Sequence, residues 1–365
     1  MKCRACQNKI AKFFSLGRMP LVNSFLCAEQ FTKEKKYSLE VGFCPKCFLV
    51  QLMETVPPAQ LFSDYIYFSS TSTSFLAHCQ STAAALIKKL KLNSKSLVLE
   101  IASNDGAQLK YFQTAHIPVL GVDPAKNIAE VANAAGIPTI PEFFNLQFAK
   151  HLKNHENVSA DLIFGANVLA HVPEINDFVA GVKEILKPKG TAVFEFPYLK
   201  GLLENKFDTI YHEHVFYYSL LALRNLFEAA GLRIYDAEMT PTQGGSLRIF
   251  ASHPGTYDIS GRVGEILDKE IKMGYDKIET YRALGGRVAD LKKKFSRMAK
   301  LSKTEQAIYA KAVDISEHYR QTWQGTGRKG QIVAPSKSAS IQMKNFLDEI
   351  GHVTSEVIIS PPDDR

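Results

Sequence analysis

The most informative absence in this sequence is that of a long apolar run. No stretch of its 365 residues approaches the roughly 18 consecutive apolar residues that a membrane-spanning helix needs. The first residues, Met1, Lys2 and Cys3, lead into polar sequence rather than into the apolar core of a signal peptide. We therefore expect no membrane partner and place the protein in the cytoplasm.

A dense basic block is also missing, although the formal net charge is +7. The positive charge is spread over short runs at 33–36, 88–95 and 292–300, and such runs are usually solvated helix faces. Proteins that bind nucleic acid concentrate positive charge on one face. The charge pattern alone decides nothing and stays compatible with an anionic small molecule, so the prediction of no nucleic-acid partner rests on the residues between the cysteine pairs described next.

Cysteine is scarce, and six residues in a cytoplasmic chain do not predict a disulfide framework. Four of them form two pairs of identical spacing, Cys3 with Cys6 and Cys44 with Cys47. Two such pairs make knuckles whose four thiolates converge on one zinc ion and leave no position for water. We predict one structural zinc, remote from the chemistry, and a redox pair is the alternative. The residues between the pairs lack the basic and aromatic alternation of a nucleic-acid-binding zinc ribbon.

The stretch 96–106, SLVLEIASNDG, predicts a buried parallel strand that turns into a helix near Gln108. Glu100 and Asp105 would repel a pyrophosphate at this turn, which argues against a dinucleotide. Asp123 ends the next strand and is the acid expected to accept hydrogen bonds from a ribose. An adenosine with a cationic sulfonium fits both observations, and an ordinary strand and turn is the alternative. The predicted cofactor residues are Glu100, Ser103, Asn104, Asp105, Gly106, Asp123 and Pro124.

The chain after Asp123 alternates helices and strands as a doubly wound fold does. Further strands are predicted at 138–140, 160–164 and 191–196, with a closing pair at 232–238 and 246–252. This order resembles the class I S-adenosylmethionine (SAM) methyltransferases. The resemblance implies an α/β, Rossmann-like fold with a seven-stranded sheet and SAM as cofactor, although ASNDG stands in place of the usual Gly-rich loop.

The densest group of reactive side chains comprises Tyr211, His212, Glu213 and His214. A metal site and a structural histidine cluster are both alternatives here. The favoured interpretation is acid–base chemistry, because imidazole titrates near neutral pH and a neighbouring carboxylate can raise its basicity.

A narrower resemblance emerges from motifs in a specific order: CRAC with CPKC, DYIYFSSTS, LEIASNDG, GVDP, NVLAHVPE, EFPYLKGL, YHEHVFYYSL and TQGGSLR. Over residues 1 to about 255 they resemble the nucleotide-sugar C-methyltransferases that build branched deoxysugars. The resemblance implies a zinc-binding domain at 1–66, a SAM-dependent methyltransferase domain at 67–255 and a C-terminal helical and α/β lobe at 256–365. It also implies that the substrate is a nucleoside-diphosphate-4-keto-6-deoxyhexose, methylated at carbon 3.

That reaction needs a base at the carbon-bound proton and donors around the oxygen on which charge develops. His214 is the predicted base, and the resemblance implies that Glu213 and Tyr211 orient it or contact the sugar. No metal takes part. The resemblance further implies that His171, the fourth predicted catalytic residue, supplies a donor to the substrate together with Asn167 and one of Tyr65 and Tyr67. Arg248 of TQGGSLR and Lys337 are also predicted to bind substrate.

The C-terminal region is predicted to be a helical scaffold at 262–323, followed by a strand and turn at 331–340 and a strand at 357–359. We expect a monomer. Two other functions stay open: a SAM-dependent methyltransferase of a sugar oxygen or of nucleic acid, and a non-catalytic zinc-ribbon binding module.

Overall fold

A computed structural model gives the fold of residues 1–24, 33–204, 209–301, 304–322 and 337–351. The chain forms two compact units, Met1–Gly285 and Gly286–Arg365. Within these described ranges, no helix is both long and apolar enough to cross a membrane.

The first sheet of the larger unit has four antiparallel strands in the order β1-β2-β3-β9. The strands are β1 (Ala11–Met19), β2 (Tyr37–Phe43), β3 (Val50–Leu52) and β9 (Phe216–Tyr217). Val50 pairs with Tyr217 and Gln51 pairs with Phe216. The cysteine-rich start of the chain therefore shares a sheet with the segment after His214, and the sequence does not predict this pairing.

The second sheet has seven strands in the order β10-β11-β8-β7-β4-β5-β6. The strands are β4 (Val98–Ile101), β5 (Val119–Val122), β6 (Thr139–Ile140), β7 (Ala160–Ala166), β8 (Leu186–Pro197), β10 (Arg233–Thr240) and β11 (Ser246–Ser252). The pairs among β4 to β8 are parallel, and β11 pairs antiparallel with both β8 and β10. This confirms the predicted class I methyltransferase sheet, including its antiparallel closing pair.

Helices cover this sheet and connect its strands. They are α1 (Pro58–Phe62), α2 (Thr73–Leu90), α3 (Leu109–Thr114), α4 (Lys126–Ala134), α5 (Leu146–His155), α6 (Ile175–Ile185), α7 (Leu199–Leu203) and α8 (Leu220–Ala229). Helix α2 begins where the Ser72 hydroxyl accepts from the Phe75 amide. Its buried Leu86 packs with Phe112 and with Phe164 in one apolar cluster. The short parallel strands are apolar because both faces of the sheet are covered.

The larger unit extends past the predicted boundary at residue 256. Helix α9 (Gly261–Lys272) carries Glu270, whose buried carboxylate accepts from the backbone amides of Leu220 and Leu221 at 2.6 and 2.8 Å. The same carboxylate accepts from the Tyr198 hydroxyl at 2.8 Å. A carboxylate stabilises unpaired N–H groups at the start of a helix, so α9 is tied to the first turn of α8.

The C-terminal part of the chain is helical wherever the structure describes it. It comprises α10 (Ile278–Leu301), α11 (Glu305–Thr322) and α12 (Lys337–Ile350). In the smaller unit, α11 and α12 pack through Ile308, Ala312, Ala339, Met343 and Leu347. Of the predicted strand and turn at 331–340, positions 331–336 lie outside the described residues and 337–340 form the start of helix α12 instead. The predicted strand at 357–359 also lies outside the described residues.

Candidate active site

A cavity of about 670 Å³ opens over the carboxyl ends of β4, β5 and β7, where ligands bind in open parallel sheets. The 58–75 segment and the turn before β9 complete its wall. The predicted site residues that line it are Tyr65, Tyr67, Glu100, Ser103, Asn104, Asp123, Pro124, Asn167, His171, Tyr211 and His214. Among the residues that the structure describes, the charged ones in this lining are all carboxylates: Glu100, Asp123, Glu142, Glu174 and Asp177.

Polar atoms without a protein partner mark the end of the cavity beside β4. Glu100 is 4% exposed, and its Oε2 and the buried Ser103 Oγ have no hydrogen-bond partner among the described residues. Burial, with Asp123 and Asp105 nearby, raises the pKa of Glu100 well above its usual value. A cationic ligand with donor groups satisfies such a wall, whereas an anion does not. These residues therefore fit SAM, with its positive sulfonium and its ribose hydroxyls.

Asp123 is held by the backbone around it. Its two carboxylate oxygens accept from the amides of Asn104 and Ala125, each at 2.9 Å. The Asp123 side chain lies at the end of β5 and faces the cavity. Each oxygen keeps a second lone pair, so the carboxylate can still accept from a ribose diol.

The loop after β4 has strained backbone at two cavity-lining residues. Ala102 has φ +58° and Asn104 has φ +50°, both in the left-handed region that suits glycine. Asn167, on the opposite wall, has φ +57°. Such strain persists where the surroundings hold the backbone in place, which is typical of functional sites.

Two predicted cofactor residues do not line the cavity. The Asp105 carboxylate accepts from the Ser70 amide at 3.0 Å and so fixes the neighbouring segment. Gly106 has φ +78°, and a Cβ there would lie 2.9 Å from Ile137. Their placement gives both residues a role in shaping the loop.

The segment 65–70 is tied to the cofactor loops by side-chain amides. Asn104 accepts from the Ser69 amide at 2.8 Å and donates to the Tyr67 carbonyl at 3.0 Å. Asn127, on α4, accepts from the Tyr65 amide at 3.2 Å and donates to the Tyr65 carbonyl at 2.8 Å. Both tyrosines are thereby held on the cavity wall.

His214 is held in a defined tautomer. Its Nδ1 lies 2.9 Å from the Thr209 carbonyl oxygen, and its Nε2 lies 3.1 Å from the Tyr211 hydroxyl. Because a carbonyl oxygen only accepts, Nδ1 carries the proton of the neutral ring and Nε2 is the acceptor. Burial lowers the pKa of His214 to about 4, so the ring is neutral at pH 7.

His171 lies beside this ring. The two ring centroids are 4.9 Å apart with an edge-to-face geometry, and His171 Nδ1 is buried without a partner. Burial and the neighbouring His214 lower the pKa of His171 to about 3. Asn167 Oδ1 is likewise buried without a partner. The cavity thus brings a neutral imidazole acceptor together with groups that can hydrogen-bond a substrate oxygen.

The structure separates the other members of the 211–214 group. Glu213 does not contact His214; its carboxylate accepts from Asn23 Nδ2 at 2.7 Å and from the Tyr65 hydroxyl at 3.2 Å. His212 lies against the Tyr37 carbonyl, outside the cavity lining. The reason is a turn closed by the His214 amide and the Tyr211 carbonyl, which sends successive side chains in different directions. Of the two roles expected of Glu213, orienting His214 or contacting the sugar, the structure gives no contact for the first, and the carboxylate instead bonds Tyr65 on the cavity wall.

Arg248 is not brought to the cavity. It lies on β11, 5% exposed, and pairs with Glu195 at 2.6 Å and Glu238 at 2.9 Å. It also donates to the Thr82 hydroxyl at 2.8 Å. This buried ion-pair group joins α2 to the closing strands. The side chain of Lys337 lies outside the described part of the chain.

Several lining residues are missed by the sequence reasoning. Phe62 packs edge-to-face on His171, with ring centroids 5.5 Å apart, and Phe75, Gln108 and Phe143 also contact the cavity. For Phe143, the available signal is the EFFN segment directly after the third predicted strand. Phe62 and Phe75 lie at the two ends of a segment rich in tyrosine, serine and threonine, and the sequence reasoning selects only residues with hydroxyl groups there.

The four predicted zinc ligands lie together, two of them before β1 and two between β2 and β3. Their sulfur atoms all lie within 4.8 Å of one another, with Cys3 and Cys47 3.5 Å apart and Cys6 and Cys44 3.4 Å apart. Cys3, Cys44 and Cys47 are buried. Four converging thiolates suit a tetrahedral structural zinc, which they would hold without an open position.

Removal of the Asp123 charge is expected to weaken SAM binding. Asp123→Asn keeps an acceptor for one backbone amide but loses the negative charge at the cavity wall. We expect the Kd for SAM, measured by calorimetry, to rise about 10- to 100-fold, the range of one charged hydrogen bond. A thermal unfolding curve of the variant controls for loop damage, and an unchanged Kd would place the cofactor elsewhere.

Three family models match successive parts of this chain. Residues 3–62 match a family model described as a zinc binding domain, residues 75–237 one described as a methyltransferase domain, and residues 241–312 one described as a C-methyltransferase C-terminal domain. The C-methyltransferase NovU of Streptomyces niveus is 35% identical over 285 residues, which cover 77% of this chain and 68% of that protein.

Solved structures show weaker similarity. The PH0226 protein of Pyrococcus horikoshii OT3 has 16% identity and a TM-score of 0.41, over 54% of this chain and 96% of that chain. The magnesium protoporphyrin IX methyltransferase of Synechocystis PCC 6803, solved with bound SAH, has 15% identity and a TM-score of 0.38, over 49% of this chain and 83% of that chain.

Proposed function

Because this chain belongs to the SAM-dependent C-methyltransferases with an N-terminal zinc-binding domain, we propose that it methylates carbon 3 of a nucleoside-diphosphate-4-keto-6-deoxyhexose. The reaction proposed is base-catalysed enolisation of the keto-sugar, with subsequent methyl transfer to carbon. The observation that carries the proposal is the neutral His214 ring, whose Nε2 accepts a hydrogen bond at the wall of the cavity.

The base acts on the proton of the carbon beside the ketone. In the structure Nε2 accepts from the Tyr211 hydroxyl. On substrate binding the carbon-bound proton takes that place: the C–H bond breaks, Nε2–H forms, and the electron pair becomes the enolate. Tyr211 is then free to donate to the oxygen. The Thr209 carbonyl keeps the Nδ1 proton in place throughout and stabilises the imidazolium.

Burial lowers the pKa of His214, but the buried ring can still act as a base. Its protonated form is disfavoured in the low dielectric of the cavity wall, but the enolate places a negative charge beside it as the proton moves. Opposite charges that form together in a buried site stabilise each other, His171 can add a donor beside the oxygen, and Asn167 Oδ1 can accept from a substrate hydroxyl. Removal of one such donor typically costs about 10²–10³-fold in rate.

Cofactor and substrate meet in the same cavity. Bound SAM supplies an electrophilic methyl group for the enolate carbon. Glu100, Ser103 and Asp123 would hold the cofactor, while Tyr65 and Tyr67 stand on the wall shared with the histidines. The chain contributes much of the acceleration by fixing both reactants, because the chemical step then no longer carries the entropy cost of a bimolecular encounter.

The negative charge of the described cavity lining argues against a nucleic-acid acceptor and indicates how the proposed substrate enters. A nucleic-acid acceptor needs cationic partners for its phosphates, and the described lining offers only carboxylates. The same fact implies that the sugar enters the cavity while the diphosphate of the proposed substrate lies beyond its rim. Methylation of a sugar oxygen is the remaining enzymatic alternative.

The test is to locate the new methyl group. The protein is incubated with SAM carrying a ¹³C methyl group and with a panel of 4-keto-6-deoxyhexose nucleotides. Two-dimensional NMR then shows whether the label correlates with the ring carbons as a C-methyl or as an O-methyl. A methyl bonded to carbon 3 is expected. An O-methyl product, or no transfer to any member of the panel, would refute the proposed acceptor.

A further inference from the structure

The central residue of β3, Gln51, is polar although its position is buried. Gln51 is 0% exposed, and its Oε1 accepts from the Arg4 amide at 3.0 Å. Arg4 lies between the zinc-ligand positions Cys3 and Cys6. Burial of an amide costs free energy unless its hydrogen bonds are made, so this bond fixes the first knuckle to β3.

The backbone of β3 continues the connection toward the cavity. Gln51 pairs with Phe216, and the Leu52 amide donates to the Val215 carbonyl at 2.8 Å. The Val215 amide donates in turn to the Ala170 carbonyl at 2.7 Å. Val215 is the next residue after His214, and Ala170 directly precedes His171. One run of hydrogen bonds therefore leads from a zinc knuckle to both histidines.

The hydrogen bonds of the His214 ring are local, whereas its packing contact with His171 reaches another segment. Thr209 and Tyr211, its two hydrogen-bond partners, belong to the same turn and move with it. They set the orientation of the ring within the turn but not the position of the turn against the cavity. That position is set by the residues after His214, through the pairing of β9 with β3 and the bond to Ala170.

We propose that Gln51 is a positioning residue for His214, which it holds at the cavity wall through the β3–β9 pair. The role rests on the proposed function of His214 as the base. Gln51 touches neither cavity nor ring; its amide locks β3 to the knuckle and so fixes the register of β9. Displacement of a reacting group by about 1 Å can cost on the order of 10²-fold in rate, so a small loosening of β3 has a measurable effect.

The first measurement compares two variants that each remove a hydrogen bond to the same knuckle. Gln51→Met keeps a similar volume and loses the bond to Arg4. Asn176→Ala loses the bonds from Asn176 Nδ2 to the carbonyls of Arg4 and Ala5, at 3.3 and 2.8 Å, without touching β3. We expect Gln51→Met to lower kcat about tenfold with an unchanged Kd for SAM and one zinc per chain. Asn176→Ala is expected to keep the wild-type kcat.

The second measurement reads the ring directly and does not depend on activity. NMR titration of ¹⁵N-labelled histidines reports on His214, which is faced by Tyr211, His171 and Tyr217. In Gln51→Met we expect its pKa to rise from the depressed value toward that of an exposed imidazole, because a displaced ring regains water. In Asn176→Ala the titration is expected to match the wild type.

The outcomes separate this proposal from the proposed function. An unchanged His214 titration and kcat in Gln51→Met, or equal effects in Asn176→Ala, would overturn the positioning role. If the wild-type enzyme methylates no keto-sugar, the proposed function fails while the titration still decides the positioning. Should Gln51→Met lose its zinc or its cooperative unfolding, Gln51→Asn replaces it, because the shorter amide stays polar but falls short of Arg4, and the same outcomes decide.

Discussion

A His214→Asn variant is expected to lose both methylation and proton exchange, by about 10²–10⁴-fold, the usual contribution of a general base. An amide cannot take up a proton at neutral pH, whereas it keeps the shape and much of the hydrogen bonding of the ring. The assay measures exchange of the carbon-3 proton with solvent deuterium by NMR, in the presence of the keto-sugar and S-adenosylhomocysteine. Exchange isolates proton removal because S-adenosylhomocysteine has no methyl group to transfer.

Two neighbouring histidines serve as controls for this experiment. His212→Asn changes a ring that lies against the Tyr37 carbonyl outside the cavity lining, so exchange and methylation should persist. His171→Asn should cause a smaller loss than His214→Asn, since other donors around the oxygen remain. Near-normal turnover of His214→Asn on an authentic substrate would move the base elsewhere, with Tyr211 as the next candidate.

The pH dependence of the wild-type reaction has a definite sign. A base works only when unprotonated, and burial lowers the pKa of His214 to about 4. We expect kcat/KM to be independent of pH near neutrality and to fall as the pH decreases through about 4, provided that the fold persists. A fall that already begins near pH 6.5 would indicate a solvated histidine and contradict the buried geometry.

Cys44→Ser is expected to have the second large effect, on folding rather than on chemistry alone. Structural zinc contributes apparent binding free energies of about 10–16 kcal/mol in zinc-finger peptides, and much of this is folding free energy. The variant should lose its zinc and unfold at a lower temperature, with metal analysis and circular dichroism as the measurements.

The matched control replaces a buried cysteine outside the cluster. Cys79, on α2, is 1% exposed and contributes no ligand atom to the group of four. Cys79→Ala should keep one zinc per chain with only a modest loss of stability. Freshly purified wild-type protein that contains no zinc would refute the metal assignment, and so would a Cys44→Ser variant with full zinc content.

The parts of the fold that the sequence predicts are those encoded locally. The parallel strands appear as apolar runs, Glu100 and Asp123 fall on the cavity wall, and the two cysteine pairs converge as their repeated spacing predicts. The identical spacing of the two pairs predicts the zinc site but not how it is connected to the rest of the fold. Its connection to the cavity is carried by β9, a strand of two residues with no periodicity to detect.

The side chains that the sequence places wrongly or leaves open depend on direction and long-range pairing. Glu213 and His214 are adjacent in the chain, but a turn sends the carboxylate to Asn23 and Tyr65. Arg248 stands in a motif rich in small residues, yet its partners Glu195 and Glu238 come from two neighbouring strands. Neither outcome can be deduced from local composition, because each is set by which strands lie side by side.

The pairing of β3 with β9 also bears on the behaviour of the two domains when they are parted. Without residues 1–66, Phe216 and Tyr217 would form a bare edge strand with unsatisfied N–H and C=O groups and two aromatic rings that are buried in the intact chain. An exposed strand edge can pair with strands of other molecules. We therefore expect the isolated methyltransferase domain to aggregate through the segment next to His214. In the intact chain, the cysteine-rich N-terminal region covers that edge through β3.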